Sequence, residues 1–233
     1  MTSDPNGILL VDKPAGMTSH DVVNAVRKMF NIKKAGHGGT LDPSATGLLV
    51  LLIGAGTKLS DRIMGHDKTY SGVMHLGKTT ATQDADGEIL SEKSIEGITE
   101  ADVLEAVSTF KGDLYQLPPM VSALKKDGVP LYKLARQGQE VERTPRLIHI
   151  YDFKVTEFGM PESQIFVKCT KGTYVRTLCH DVGEKLGCGG ILQSLRRLQS
   201  GKFSVENAIP FATLKETPRA DFAKLILPLS AAL

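Results

Sequence analysis

Six consecutive apolar residues, Leu48 to Ile53, lie between Gly47 and Gly54, directly after a dozen residues, Gly36 to Gly47, that hold four glycines, one histidine, two threonines and one aspartate. A run this short between glycines predicts a buried strand. The polar stretch ahead of it therefore has to be a loop anchored by that strand. Within the loop Asp42 stands between Leu41 and Pro43. Proline fixes its own φ and biases the preceding residue away from helix, so the Asp42 backbone is restrained from both sides. A carboxylate on a glycine-lined loop beside a buried anchor is one way to offer a reactive group to a substrate. The competing reading is conformational: Asp-Pro starts a turn, the glycines supply permissive backbone and His37 is a surface residue. A phosphate-cradling loop is disfavoured, because the Gly-x-x-x-x-Gly-Lys-[Ser/Thr] pattern is absent and the glycines precede a strand.

A chain of 233 residues with 41% hydrophobic content can bury one good core, or a core with a small appendage. No apolar run approaches the roughly 20 residues of a bilayer span. Asp4 precedes Gly7 to Val11 where a signal peptide would need a basic region, so a cytoplasmic protein is expected. Cys169, Cys179 and Cys188 are odd in number and not in Cys-x-x-Cys spacing, which predicts buried reduced thiols and no zinc site. Charge is uneven: residues 61–117 sum to −6, residues 118–146 to +3 and residues 168–202 to +5. Two basic segments suit a polyanionic partner, although solvated helix faces would look the same in a count.

Taken in order, Gly7 to Val11 predicts a strand. Thr18 and Asp21 have capping-box spacing ahead of a helix with Val22, Val26 and Met29, ending near Phe30. Another helix is expected from Thr57-Lys58-Leu59, with Ile63 inside. Tyr70, Gly72, Met74 and Leu76 alternate as in a half-buried strand, and Thr79 to Gly87, carrying Asp84 and Asp86, reads as a β-turn. Thr99 and Asp102 form a second capping box before Val103, Val107 and Phe110. From Leu117 to Arg146 the chain is basic and rich in Pro and Gly, with one short helical pattern at Leu131 to Ala135. Strands follow at Leu147 to Val155 and at Ile165 to Cys169. A helix with Val175, Leu178, Cys179, Val182 and Leu186 on its buried face leaves Arg176 off that stripe, in the first turn. Cys179-His180-Asp181 is no catalytic triad, since helix neighbours do not face one another. Ile191, Leu195 and Leu198 predict a last helix ending in Arg196-Arg197.

The run His37-Gly38-Gly39-Thr40-Leu41-Asp42-Pro43-Ser44-Ala45-Thr46-Gly47-Leu48-Leu49 resembles the signature of the TruB family of tRNA pseudouridine synthases. Lys13-Pro14-Ala15-Gly16-Met17-Thr18-Ser19, Lys171-Gly172-Thr173-Tyr174-Val175-Arg176 and Ser200-Gly201-Lys202-Phe203 are similar to further motifs of that family. The resemblance covers residues 7 to about 214. It implies an α+β pseudouridine synthase fold, a mixed, largely antiparallel central sheet with flanking helices and an inserted thumb at 117–146. The expected organisation is a catalytic domain over 1–205 and a short C-terminal tail over 206–233, without a full PUA domain.

The same resemblance implies isomerisation of the uridine at position 55, in the T-loop of tRNA, by cleaving the glycosidic bond and rejoining uracil through C5. Asp42 is then the nucleophile or base, Tyr70 the aromatic hydroxyl at the target uracil and Arg176 the partner of the catalytic aspartate; Lys13 is read as structural. His37 is expected to occupy the stack vacated by a flipped base. Thr40, Leu41, Lys58, Asp84, Lys171 and Tyr174 are expected near RNA, with Lys125, Lys126 and Arg136 of the thumb closing over it. No cofactor and no metal are implied, and the partner is the tRNA T-arm, with no membrane, no obligatory protein partner and a monomeric chain. Two alternatives stay open: a non-catalytic RNA-binding or tRNA-folding protein on the same scaffold, and an enzyme acting on free uridine or its phosphates.

Overall fold

In the computed structural model, residues 5–122, 124–139 and 141–232 are described. The strands are β1 (Gly7–Lys13), β2 (Ala35–His37), β3 (Thr46–Ile53), β4 (Lys68–Leu76), β5 (Lys78–Thr80), β6 (Ile89–Glu92), β7 (Gly112–Gln116), β8 (Lys125–Lys126), β9 (Val129–Pro130), β10 (Arg146–Glu157), β11 (Glu162–Cys169), β12 (Gly190–Ser200), β13 (Phe203–Ser204) and β14 (Ile209–Pro210). The α-helices are α1 (Ser19–Phe30), α2 (Ser60–Met64), α3 (Glu100–Ser108), α4 (Leu131–Arg136), α5 (Val175–Lys185) and α6 (Phe211–Glu216). The chain forms two compact units, one of residues 1–70 with 196–233 and one of residues 71–195.

The first unit is organised on β3. Seven of its eight residues are buried, because each face is covered by its own apolar cluster. Leu49, Leu51 and Ile53 pack with Val22, Val26 and Phe30 of α1, while Leu48, Val50 and Leu52 pack with Ile8, Ile63 and Phe203. That two-sided burial explains why the run does not alternate with polar residues. β1 and β2 pair antiparallel with β3, whereas β14 runs parallel to β1, and β12 runs parallel to β3 through Arg196 and Arg197. Both predicted capping boxes form, Thr18 with Asp21 on α1 and Thr99 with Asp102 on α3.

In the second unit β10 pairs antiparallel with β7 and β11, and β4 lies beside β11 in the strand order. Ile148, Ile150 and Phe153 of β10 and Ile165 and Val167 of β11 are buried, as are Val103 and Val107 of α3 and Val175, Leu178 and Val182 of α5. The fold is thus α+β, with mixed but mostly antiparallel pairing. All three cysteines are buried and free. Among the described residues no helix is long and apolar enough to cross a membrane.

Three expectations change. The helix expected over Ile191 to Leu198 is the strand β12. Spacings of three and four among short apolar positions do not distinguish helix from strand, and here hydrogen bonding between β3 and β4 in the strand order decides. Between β7 and β10 the short helix is present as α4, but a hairpin of β8 and β9 accompanies it. Its turn residues Asp127 and Gly128 have φ of 51° and 81°, the double positive φ of a type I′ turn, so Asp-Gly was the overlooked signal. Finally, Arg176, expected off the buried stripe, is only 4% exposed.

Candidate active site

In the first unit, Asp42 is half-buried on the loop joining β2 to β3, and the backbone on either side of it is pinned. Lys13, 1% exposed at the end of β1, donates from Nζ to the carbonyls of Pro14 (2.8 Å), Met17 (2.7 Å) and Pro43 (3.1 Å). The Gly16 amide also donates to the Pro43 carbonyl, at 2.9 Å. Ser19, buried at the start of α1, accepts from the Leu41 amide at 2.8 Å and donates to the Leu41 carbonyl at 3.1 Å. Arg197, 2% exposed in β12, donates from Nη2 to the Gly39 carbonyl and from Nη1 to the Thr40 carbonyl, both at 3.2 Å, and from Nε to Leu48 at 2.7 Å. Carbonyls on both sides of Asp42 are therefore held by buried cations.

Glycine is required at two points of this arrangement. A Cβ on Gly47, whose φ is +98°, would lie 2.3 Å from the Arg197 carbonyl oxygen, so the approach of β3 to β12 depends on its absence. A Cβ on Gly38 would lie 2.1 Å from Cγ2 of Ile63. The loop is thus pressed onto α2 from beneath and tied to Arg197 and Lys13 from the sides.

His37 closes β2, opposite Leu51 of β3, rather than standing in the loop. It is half-buried, and its Nδ1 finds no hydrogen-bond partner among the described residues. Burial, followed by the charges of Arg197 and His20, holds its imidazole below the ordinary value of 6.5. Tyr70 of β4 is 9% exposed, and its electrostatic influence opposes the burial that holds the Arg197 guanidinium below its ordinary value. Burial lowers Lys13 to about 8, while the Asp42 carboxylate pulls the other way. Leu41 is buried, whereas Thr40 and Lys58 are exposed.

In the second unit, Arg176 donates from Nη1 to Oδ2 of Asp84 at 3.0 Å and from Nη2 to the Val121 carbonyl at 2.5 Å. The other Asp84 oxygen accepts from the Thr82 hydroxyl and the Asp86 amide, so that carboxylate is committed on both sides. The sequence motif 171–176 forms the turn from β11 into α5. Gln116 holds it like a strand partner, donating to the Tyr174 carbonyl at 3.1 Å and accepting from the Tyr174 amide at 2.8 Å. The Arg176 guanidinium lies 5.8 Å from the Tyr174 ring centre, and Lys171 is exposed. The side chains of Lys125, Lys126 and Arg136 lie outside the described part of the structure.

One unit thus collects Asp42, Tyr70 and His37 around a buried cationic clamp, and the other pairs Arg176 with Asp84. Sequence reading missed the role of Arg197, because the apparent helix hid it. The available signal was the Arg196-Arg197 doublet directly ahead of Ser200-Gly201-Lys202-Phe203. Chemically, the first unit offers a half-buried carboxylate on a loop whose carbonyls are held by buried cations, and a buried phenol.

Residues 27–175 match the family model of the TruB family pseudouridylate synthase N-terminal domain, and residues 176–233 match the tRNA pseudouridylate synthase B C-terminal domain. The chain is 50% identical to tRNA pseudouridine synthase B of Opitutus terrae over 96% of its own length and 92% of the relative's. It is 48% identical to tRNA pseudouridine synthase B of Syntrophotalea carbinolica, over 98% of its length and 74% of the relative's. Among solved structures it resembles a chain of the crystal structure of a Cbf5-Nop10-Gar1 complex, with a TM-score of 0.77 and 30% identity. That likeness covers 98% of this chain and 61% of the solved one.

Proposed function

The chain belongs to the TruB family of pseudouridylate synthases and is a tRNA pseudouridine synthase, and from that premise we propose that it converts the T-loop uridine at position 55 with Asp42 as the carboxylate that acts on the sugar, as nucleophile or base. The observation that carries the residue assignment is the Asp42 loop itself. A half-buried carboxylate sits on a backbone whose flanking carbonyls are fixed by two buried cations. Such a group does not need to be reorganised when the sugar arrives, which is where most of a catalytic carboxylate's advantage resides.

The reaction breaks the bond from C1′ to N1 and makes one from C1′ to C5, while C5 gives up its hydrogen as a proton and N1 takes one, so that the composition is unchanged. Uracil anion is a tolerable leaving group, so one ionised carboxylate acting on the sugar as nucleophile or base is sufficient protein chemistry for the first step. Arg176 is proposed as the cation that keeps that carboxylate ionised and oriented, as its family motif implies. Tyr70 is proposed to stack on the target uracil, and His37 to fill the place the flipped nucleotide leaves. Thr40, Leu41, Lys58, Lys171, Tyr174 and the thumb residues Lys125, Lys126 and Arg136 are proposed RNA contacts. The T-arm stem-loop is the proposed substrate element, acted on by a cytoplasmic monomer.

The test is to incubate unmodified tRNA with the protein and map carbodiimide adducts that survive alkali. A new adduct at position 55, also formed on an isolated T-arm stem-loop, is the expected result. Tight binding without any adduct would instead identify an RNA-folding protein, and conversion of free uridine nucleotides would identify a nucleotide enzyme.

A further inference from the structure

The turn between β5 and β6 is held more closely than a connection of its length needs. Asp84 within it is buried, and besides the bonds to its carboxylate from Thr82, Asp86 and Arg176, its carbonyl accepts from the Thr80 hydroxyl at 2.6 Å. The main chain on either side of Asp84 is tied to Leu192 of β12: the Leu192 amide donates to the Gln83 carbonyl and the Ala85 amide to the Leu192 carbonyl, both at 3.1 Å. A Cβ on Gly87 would lie 2.3 Å from Thr82 Oγ1, so the turn closes directly over that hydroxyl. Gln83 has a φ of 65°, a left-handed conformation that is unfavourable for a residue with a side chain. Its Oε1 accepts from the hydroxyl of Thr177, which is buried, at 2.7 Å. All these residues belong to the second unit.

Two consecutive turn residues, Gln83 and Asp84, thus reach two consecutive residues at the start of α5, Thr177 and Arg176. The N-cap residue of α5, Tyr174, makes no side-chain capping bond among the described residues, so the first turn of this helix is fixed from the β5–β6 turn. We propose that this turn is a latch that aims the Arg176 guanidinium, with Thr82 and Gln83 as positioning residues: Thr82 orients the Asp84 carboxylate that Arg176 meets, and Gln83 holds the helix one residue further on through Thr177. The reason lies in the freedom of an arginine side chain, which has to be given up when its planar fork is held in one place. A charge-assisted bond to a carboxylate is directional, so a carboxylate that is itself fixed sets the plane of the guanidinium. A bond at Thr177 controls the other end, the backbone from which the side chain springs. Strain at Gln83 fits the same account, because an unfavourable φ persists where surrounding bonds over-determine it. The link to turnover rests on the reading of Arg176 given above, whereas the latch itself is measurable without any RNA.

Removing either hydroxyl tests it: Thr82→Ala and Thr177→Val, each beside its serine counterpart, which keeps the donor. On arginine-labelled protein without RNA, the Arg176 guanidinium resonances, assigned by their loss in Arg176→Lys, should shift and broaden in Thr82→Ala and Thr177→Val and return in Thr82→Ser and Thr177→Ser. Single-turnover rates on the T-arm stem-loop should fall about tenfold in Thr82→Ala and Thr177→Val, with RNA affinity within about twofold of the wild type, because a misaimed group costs rate rather than binding. Both serine variants should come within about twofold of the wild-type rate. Combining Thr82→Ala with Asp84→Asn should be no more than about twofold slower than Asp84→Asn alone, because Thr82 acts through that carboxylate. Unchanged Arg176 resonances in both hydroxyl-less variants, a loss that serine does not rescue, or penalties of Thr82→Ala and Asp84→Asn that multiply would overturn the proposal. Should Thr177→Val fail to fold, the half-buried Thr82 decides through the same resonances and rates. If the resonances move as expected but neither these variants nor Arg176→Lys changes turnover, the latch stands and the reading of Arg176 fails instead.

Discussion

The loop around Asp42 and the segment between β7 and β10 are both irregular, both contain glycine and proline, and both are flanked by basic residues, yet they are held to different degrees. In the loop, Lys13, Ser19 and Arg197 are all buried, and their bonds end on main-chain groups at Gly39, Thr40, Leu41 and Pro43. In the segment between β7 and β10, order comes from a two-strand hairpin, the six residues of α4 and a bond from Arg143 to the Pro118 carbonyl, with Pro118, Pro119, Ser122 and Leu131 buried and one carbonyl, that of Val121, claimed by the buried Arg176. Irregular secondary structure therefore says nothing about rigidity. What matters is how many of the free carbonyls are claimed by buried side chains, and that separates a region suited to chemistry from one suited to grip.

The sharpest way to break this division is through Arg176, which belongs to the second unit but is buried like the clamp residues. Arg176→Lys should cost about 100-fold or more in single-turnover rate, because an ammonium cannot keep both the Asp84 carboxylate and the Val121 carbonyl in one plane. Full activity would place the chemistry in the Asp42 loop alone. Next, replacing residues 125–130 by a short Gly-Ser linker should weaken RNA binding and flatten its salt dependence by about one unit of slope for each phosphate that is no longer neutralised. The melting temperature should hardly move, since Leu131 and α4 remain. A large drop in melting temperature would make the hairpin part of the core.

Lys13 gives a smaller and pH-dependent effect. Its value of about 8 lies below the ordinary lysine value near 10.4, so between these two pH values the unfolded chain binds more protons than the folded one. The contribution of Lys13 to stability consequently rises with pH across that window, while the clamp on Pro43 loses its charge. The single-turnover rate is expected to fall as pH rises through about 8, and Lys13→Arg, which stays charged, should flatten that limb. A wild-type rate that is level through this range removes Lys13 from control of the rate. The smallest effect should come from His37, which burial keeps neutral near pH 7. His37→Gln and His37→Phe should retain much of the activity by stacking, and His37→Gly should lose more. Equal collapse of all three would assign the imidazole acid-base work.

Much of the site is legible in the order of the amino acids, and for physical reasons. The buried strand announces itself through an apolar run between glycines, and both capping boxes follow from side-chain spacing, because those interactions are local in sequence. Asp42 is legible because Pro43 restrains it and the flanking motif is long. The clamp is not. Arg197 meets Gly39 and Thr40 across more than 150 residues, and its strand has apolar spacings that also suit a helix. Nor could composition show that Arg176 is buried: its partner Asp84 lies 92 residues away. Local interactions leave a periodic pattern in sequence, whereas a buried cation facing main-chain carbonyls far along the chain leaves none of that kind.

The central claim is that the clamped loop carries the chemistry through Asp42, and Asp42→Asn tests it most directly. The amide keeps the size and the backbone restraints but cannot carry the charge. Single-turnover conversion at saturating T-arm RNA and equilibrium binding of the same RNA should be measured side by side on this variant. The account predicts no detectable pseudouridine, with affinity within about severalfold of the wild type, because the substitution removes only an interaction made during the reaction. Residual turnover at more than a trace level, or a collapse of binding in step with the rate, would contradict it.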